Sequence, residues 1–230
     1  MMIKEETRKD VRSSWPFLIT LAVMIISGFI LQIIFSDILG FRKELIPCIF
    51  FFSIIPFLIM FNNYIKQGKV EFKDVGILKN KLTINIILGL VIGILAGIVG
   101  LVLFSVLGVP SENISAEQAW KIFVLLFLPM CICAPIWEEI ATRGLFYTFV
   151  EKILRSKLNN GKFIKNLIII ITVSLFFLFA HFEREPRLLF VIFVTSVIYT
   201  IAYFKTRNII VPILAHSVYN LFVLLRLFMY

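Results

Sequence analysis

Long unbroken apolar runs alternate with short polar segments along this chain, and the runs are too long for the interior of a soluble domain. A helix that crosses a hydrocarbon core of about 30 Å needs about 20 residues at about 1.5 Å each. Runs of this kind cover 16–35, 46–61, 83–108, 122 to about 150, 167–182, 188–204 and 209 to about 225. The pattern predicts an all-α integral membrane protein, a polytopic bundle of seven to eight transmembrane helices, the eighth arising if the third run breaks at its glycines. The first run is long for a cleavable signal core and no small-residue cleavage pattern follows it, so it is expected to stay as a span. Gly89, Gly93 and Gly97 recur at every fourth position of the third run, which predicts a helix face open to close backbone approach rather than a chemical site.

Composition agrees with that class. Of 230 residues, 60% are hydrophobic and 16% charged, whereas a soluble domain carries about a quarter charged residues. A soluble globular protein and a disordered one are both excluded. The net charge of +9 would point to nucleic acid in a soluble protein. Here it marks cytoplasmic segments beside anionic lipid, and no nucleic-acid partner is expected.

The charge distribution orients the bundle. With the N-terminus inside, the inner segments hold Lys4, Arg8, Lys9 and Arg12, then Lys66, Lys69, Lys73, Lys79 and Lys81, then Lys152, Arg155, Lys157, Lys162 and Lys165, then Lys205 and Arg207. The outer loops hold only Arg42, Lys43, Arg184 and Arg187. This bias predicts a cytoplasmic tail over 1–15, N-terminal spans over 16–118 and a core over 119–228 in a multi-pass cell-membrane protein. A composition rich in Lys, Ile, Asn and Phe leans toward a low-GC bacterium. Cys48, Cys131 and Cys133 all fall in apolar stretches, and the latter two point about 200° apart on a helix, so neither a zinc site nor a disulfide framework is implied.

Charge inside a span costs about 2.5–3.5 kcal/mol on insertion scales and needs a reason. The fourth run contains Glu138, Glu139 and Arg143 within one apolar helix, and the two histidines of the chain, His181 and His216, also lie in or at the end of spans. Glu139 and Arg143 are four apart and predicted to pair, whereas Glu138 points about 100° away and is left as the free acid. Pro135 cannot donate an amide hydrogen, so it disturbs the turn before Glu138 and frees a carbonyl for water or a neighbour. His216 and Asn220 share a face, and Phe177 stands one turn before His181. Depths of roughly 13–25 Å from the cytoplasmic ends permit these groups to converge in an intramembrane site. Three structural readings stand beside that one: a buried salt bridge, a histidine bonded across a helix interface, and an interhelical polar clamp.

Glu138-Glu139-x-x-x-Arg143-Gly144, Phe177-x-x-x-His181 and His216-x-x-x-Asn220, in that order on successive spans, resemble the CPBP family of intramembrane proteases, the CAAX proteases and bacteriocin-processing enzymes also called the Abi family. The resemblance covers about 121–225. It implies a glutamate-dependent endopeptidase acting on peptides or proteins at the bilayer, with Glu138 as general base, His181 as its water-binding partner, and His216 with Asn220 stabilising the oxyanion. Glu139, Arg143 and Phe177 would shape the pocket. In bacteria it suggests peptide-pheromone or bacteriocin maturation, or self-immunity. No cofactor is expected, with zinc on Glu138, His181 and His216 as the minor alternative. The competing functions are a non-catalytic membrane scaffold or immunity protein acting by helix contacts, and a small transporter with a proton relay. The oligomeric state is left open.

Overall fold

The computed structural model describes residues 2–38, 45–78, 81–109, 114–157, 161–182 and 184–229. Arg42, Lys43 and Lys79, which enter the charge count, lie outside the described residues. The described residues form helices α1 (Met2–Gln32), α2 (Ile46–Phe51), α3 (Ile54–Lys66), α4 (Leu82–Val106), α5 (Ala116–Leu128), α6 (Ala134–Glu139), α7 (Tyr147–Lys157), α8 (Lys162–Phe179), α9 (Pro186–Thr206) and α10 (Ile210–Leu225). Seven stretches among them are long and apolar enough to cross a membrane: Ser14–Phe35, Ile46–Lys66, Leu82–Val106, Ala116–Leu154, Lys162–Phe179, Pro186–Thr206 and Ile210–Phe228. This is a multi-pass membrane protein, and its apolar side chains stand outward as a lipid-facing surface would require, with Ile84, Val91, Leu95 and Val102 of α4 all about half exposed.

The third run does not break. Helix α4 continues through its glycines to Val106, so the option of an eighth span falls away. Its small-residue face receives α10 instead, its most extensive neighbour. A Cβ built on Gly93 would sit 2.6 Å from the Cβ of Val218 and 2.9 Å from the carbonyl of Ala215, and one on Gly89 would meet the Val211 carbonyl at 3.0 Å. Only hydrogen fits there, so the two backbones touch, as in other small-residue helix contacts within bilayers. Beyond its end, the carbonyls of Gly108 and Val109 accept hydrogen bonds from Arg187 and Arg226, cations where the helix leaves unpaired acceptors.

The second span departs from the expected single helix. Pro56 has no amide hydrogen for the carbonyl of Phe52, which accepts from Ile55 at 3.0 Å instead, and the helix divides there into α2 and α3. The polar tail is helical and continuous with the first span, since α1 begins at Met2. The stretch linking α3 to α4 is tied to the later helices: Thr148 donates to the Asp74 carbonyl at 2.8 Å, and Ile209 to the Gly76 carbonyl at 2.9 Å.

Candidate active site

The fourth span is one helical column, α5 to α7, widened twice into π turns at Pro129–Cys133 and Ile140–Phe146. Such turns often accompany functional sites, and the first has a readable cause and consequence. The amide of Ala134 bonds the carbonyl of Pro129, so it is not available to Met130 in the α register. The π-register donor for Met130 would be residue 135, which is proline and has none. Its carbonyl is therefore left over, and the side-chain Nδ2 of Asn220 donates to it at 2.7 Å. The carbonyl expected to be freed near Pro135 is thus claimed by a neighbouring helix, and that bond fixes Asn220 of α10 against the turn preceding Glu138.

Below this turn the two glutamates diverge. Glu139 is fully buried and pairs with Arg143, itself fully buried, at 3.0 Å, the pairing the four-residue spacing predicts. Arg143 also donates through Nη1 to Thr142 Oγ1 at 3.0 Å and through Nη2 to the Ser196 carbonyl at 3.0 Å and to Ser196 Oγ at 2.6 Å. Its guanidinium lies 4.7 Å from the ring centre of Phe177 and 5.8 Å from that of Tyr199. A buried charge is tolerable only when most of its donors are matched; here both terminal nitrogens of Arg143 are engaged, while its Nε and Oε2 of Glu139 are buried without a hydrogen-bond partner. Glu138, by contrast, keeps 15% of its side chain accessible. One acid is sealed and the other is reachable.

His216 joins them. Its Nδ1 lies 2.9 Å from Glu139 Oε1, and its Nε2 lies 3.9 Å from Glu138 Oε2. Because Glu139 is engaged by Arg143 as a carboxylate, it accepts, and the proton of the contact belongs on Nδ1 of the imidazole. That bond holds the ring with Nε2 turned to Glu138, while Tyr199 stacks on the ring at 5.5 Å and Phe177 meets it edge-on at 5.8 Å. His181 lies just beyond the end of α8. Its ring packs on Phe177 at 4.7 Å and its Nδ1 is 2.9 Å from the Phe177 carbonyl, a bond that does not use Nε2. His216 thus comes within 3.9 Å of Glu138.

The structure thus gathers Glu138, Glu139, Arg143 and His216 into one connected cluster, attaches Asn220 to it through Met130, and sets His181 at its edge through Phe177. Three residues of α9 complete it: Ser196, Tyr199 and Thr200, all buried. Thr200 bonds the Ser196 carbonyl at 2.8 Å and lies 3.4 Å from Ser174. Sequence reading missed this trio because none is charged. The available signal was two hydroxyls and a tyrosine at positions i, i+3 and i+4 of an otherwise apolar span.

Residues 119–222 match the family model described as type II CAAX prenyl endopeptidase Rce1-like, a segment that contains every residue of the cluster. Neither the curated proteins nor the solved structures gave a significant match.

Proposed function

We propose that this chain, a member of the CPBP family of CAAX-type proteases through residues 119–222, is an intramembrane endopeptidase in which Glu138 activates the attacking water. The observation that carries the reading is the unequal treatment of two adjacent glutamates. Glu139 is spent on Arg143 and His216, whereas Glu138 is reachable and faces His216 Nε2 at 3.9 Å.

In this mechanism Glu138 takes a proton from water as the water oxygen bonds the scissile carbonyl carbon, and later returns that proton to the leaving amine as the carbon–nitrogen bond breaks. His181, with Nε2 unengaged by its own helix, helps hold the water. The oxyanion is met from the other side by α10. Asn220 spends one amide hydrogen on Met130 and has the second to donate. To donate as well, His216 must carry a proton on Nε2, which makes it an imidazolium flanked by two carboxylates. Each such donor is worth about 2.7–4 kcal/mol in a dry site. Arg143 and Glu139 act as positioning residues, fixing the ring of His216.

Zinc on Glu138, His181 and His216 is the alternative chemistry. The Nδ1 bond of His216 to Glu139 would suit either role, and among the described residues no three His, Cys, Asp or Glu groups converge in metal-holding geometry. The substrate is a peptide or protein at the membrane, and the bacterial resemblance points to pheromone or bacteriocin maturation or self-immunity in a cell membrane, with the N-terminus inside. The test is a fluorogenic peptide panel with purified wild type, Glu138→Gln, His181→Ala and Glu139→Gln, each with and without chelator. Loss of cleavage in the first two, indifferent to chelator, is expected. Full activity in Glu138→Gln overturns the reading, and chelator-sensitive cleavage restored by zinc replaces it with the metal route.

A further inference from the structure

Cys48 and Cys133 are 85 residues apart in sequence, yet their sulfurs are 3.2 Å apart. Both are free thiols, Cys48 half-buried in α2 and Cys133 buried at the end of the first π turn. The two elements are already packed together, since Phe50 of α2 lies 5.0 Å from the ring of Trp137. A disulfide has its sulfurs about 2.05 Å apart, so closure asks for a movement of only about 1 Å. Sequence reading saw three unconnected cysteines because it compared only the pair two residues apart.

We propose that Cys48 and Cys133 form a redox modification site, a dithiol that closes to an intramolecular disulfide and ties the second span to the turn preceding Glu138. The oxidant is a small-molecule disulfide. The thiolate of Cys48, the more accessible of the two, attacks one of its sulfurs and releases the first thiol. Cys133 then displaces the second thiol from the mixed disulfide. Two cysteine thiols and one disulfide become one protein disulfide and two small thiols, with protons and electrons balanced. With the N-terminus inside, as the charge bias predicts, Cys48 lies near the outer end of its span, on the side where disulfides persist.

The site borders the catalytic turn. Cys133 belongs to the same π turn as Met130, whose carbonyl holds Asn220, and Glu138 follows five residues later. A misplacement of about 1 Å costs an enzyme about a hundredfold, so oxidation is expected to slow cleavage at least about tenfold, reversibly. This last step rests on the peptidase reading; formation of the bond does not.

The test treats the purified full chain with oxidised glutathione, a small-molecule disulfide, then counts free thiols by maleimide–polyethylene glycol labelling under denaturing conditions and identifies linked peptides by mass spectrometry. The reduced chain has three thiols. Wild type is expected to retain only Cys131 after oxidation, with the Cys48 and Cys133 peptides joined, while Cys48→Ser retains both remaining thiols and Cys133→Ser forms no joined peptides, its Cys48 stopping at the mixed disulfide with the oxidant. Three free thiols after oxidation, a bond that includes Cys131, or crosslinking between chains alone overturns the proposal. Cleavage by wild type is expected to fall with oxidation and return with dithiothreitol, and cleavage by Cys48→Ser to be indifferent to both. An oxidised chain that cleaves at full rate overturns the coupling to catalysis. A chain that cleaves no peptide in either state counts against the peptidase reading, while the thiol count still decides the bond.

Discussion

The third and fourth spans solve the same problem, crossing a bilayer, with opposite means. Helix α4 is 25 residues of regular helix without a charge, and its grip on α10 is backbone against backbone along its glycines. The fourth span is a 39-residue column, widened by two π turns and carrying Glu138, Glu139 and Arg143. At about 1.5 Å per residue it reaches nearly 60 Å, about twice the hydrocarbon thickness. One helix meets its partner through small residues and the other adds a hydrogen-bonded charged cluster, yet they act on the same target. Helix α4 presses α10 from one side, and the fourth span receives His216 and Asn220 from the other. The lesson is that an uncharged helix can set the geometry of a charged site by fixing how closely its partner approaches.

The sharpest way to separate the two contributions is to remove chemistry without disturbing packing. Glu138→Gln keeps size and hydrogen bonding, so its thermal unfolding in detergent is expected to match wild type while peptide cleavage falls about a thousandfold, within the range attributed to a general base. A parallel loss of stability would show that Glu138 is part of the packing after all.

Arg143→Ala attacks the fourth span's own economy. It takes the guanidinium from the buried Glu139 and leaves that carboxylate with the His216 Nδ1 contact, and breaking a buried pair from one side costs about 3–5 kcal/mol. Unfolding in denaturant should show that loss, and Arg143→Lys should recover little of it, because an ammonium lacks the planar fork that reaches Glu139, Thr142 and Ser196 at once.

Gly93→Val tests the third span in the same units. Its new side chain overlaps Val218 and the Ala215 backbone, and overpacking of this kind costs about 1–3 kcal/mol. Because the strain falls on α10 one residue from His216, kcat is expected to drop with stability, although Gly93 touches no reacting group. Gly161→Ala, with nothing near its Cβ, is the control that should change neither. If Gly93→Val lowers stability and leaves kcat intact, α4 does not set the site.

The smallest expected effect is at Tyr199. Its hydroxyl is buried without a hydrogen-bond partner among the described residues, so Tyr199→Phe should lie within about 0.5 kcal/mol of wild type, whereas Tyr199→Ala should lower activity by removing the ring stacked on His216.

Much of this was legible in the chain itself. The seven spans follow from run length because a bilayer core sets a minimum that no soluble element needs. The Glu139–Arg143 pair follows from helical spacing, since both partners are on one helix. The break in the second span was missed although Pro56 marks it, because hydropathy is blind to a lost amide hydrogen. The α9 trio was missed because hydroxyls are inexpensive in a span and carry no charge signal.

Local periodicity, then, determined the class of protein, the number of crossings, and which polar groups had to be explained. It did so because lipid penalises each charge and each unpaired backbone group wherever it stands in the sequence. Which of those groups meet was decided only by the tertiary structure. That His216 comes to Glu138, that Asn220 answers a carbonyl 90 residues away, and that Cys48 lies against Cys133 all depend on the approach of separate helices. Helix approach is set by side-chain size across an interface, which no spacing within one helix encodes.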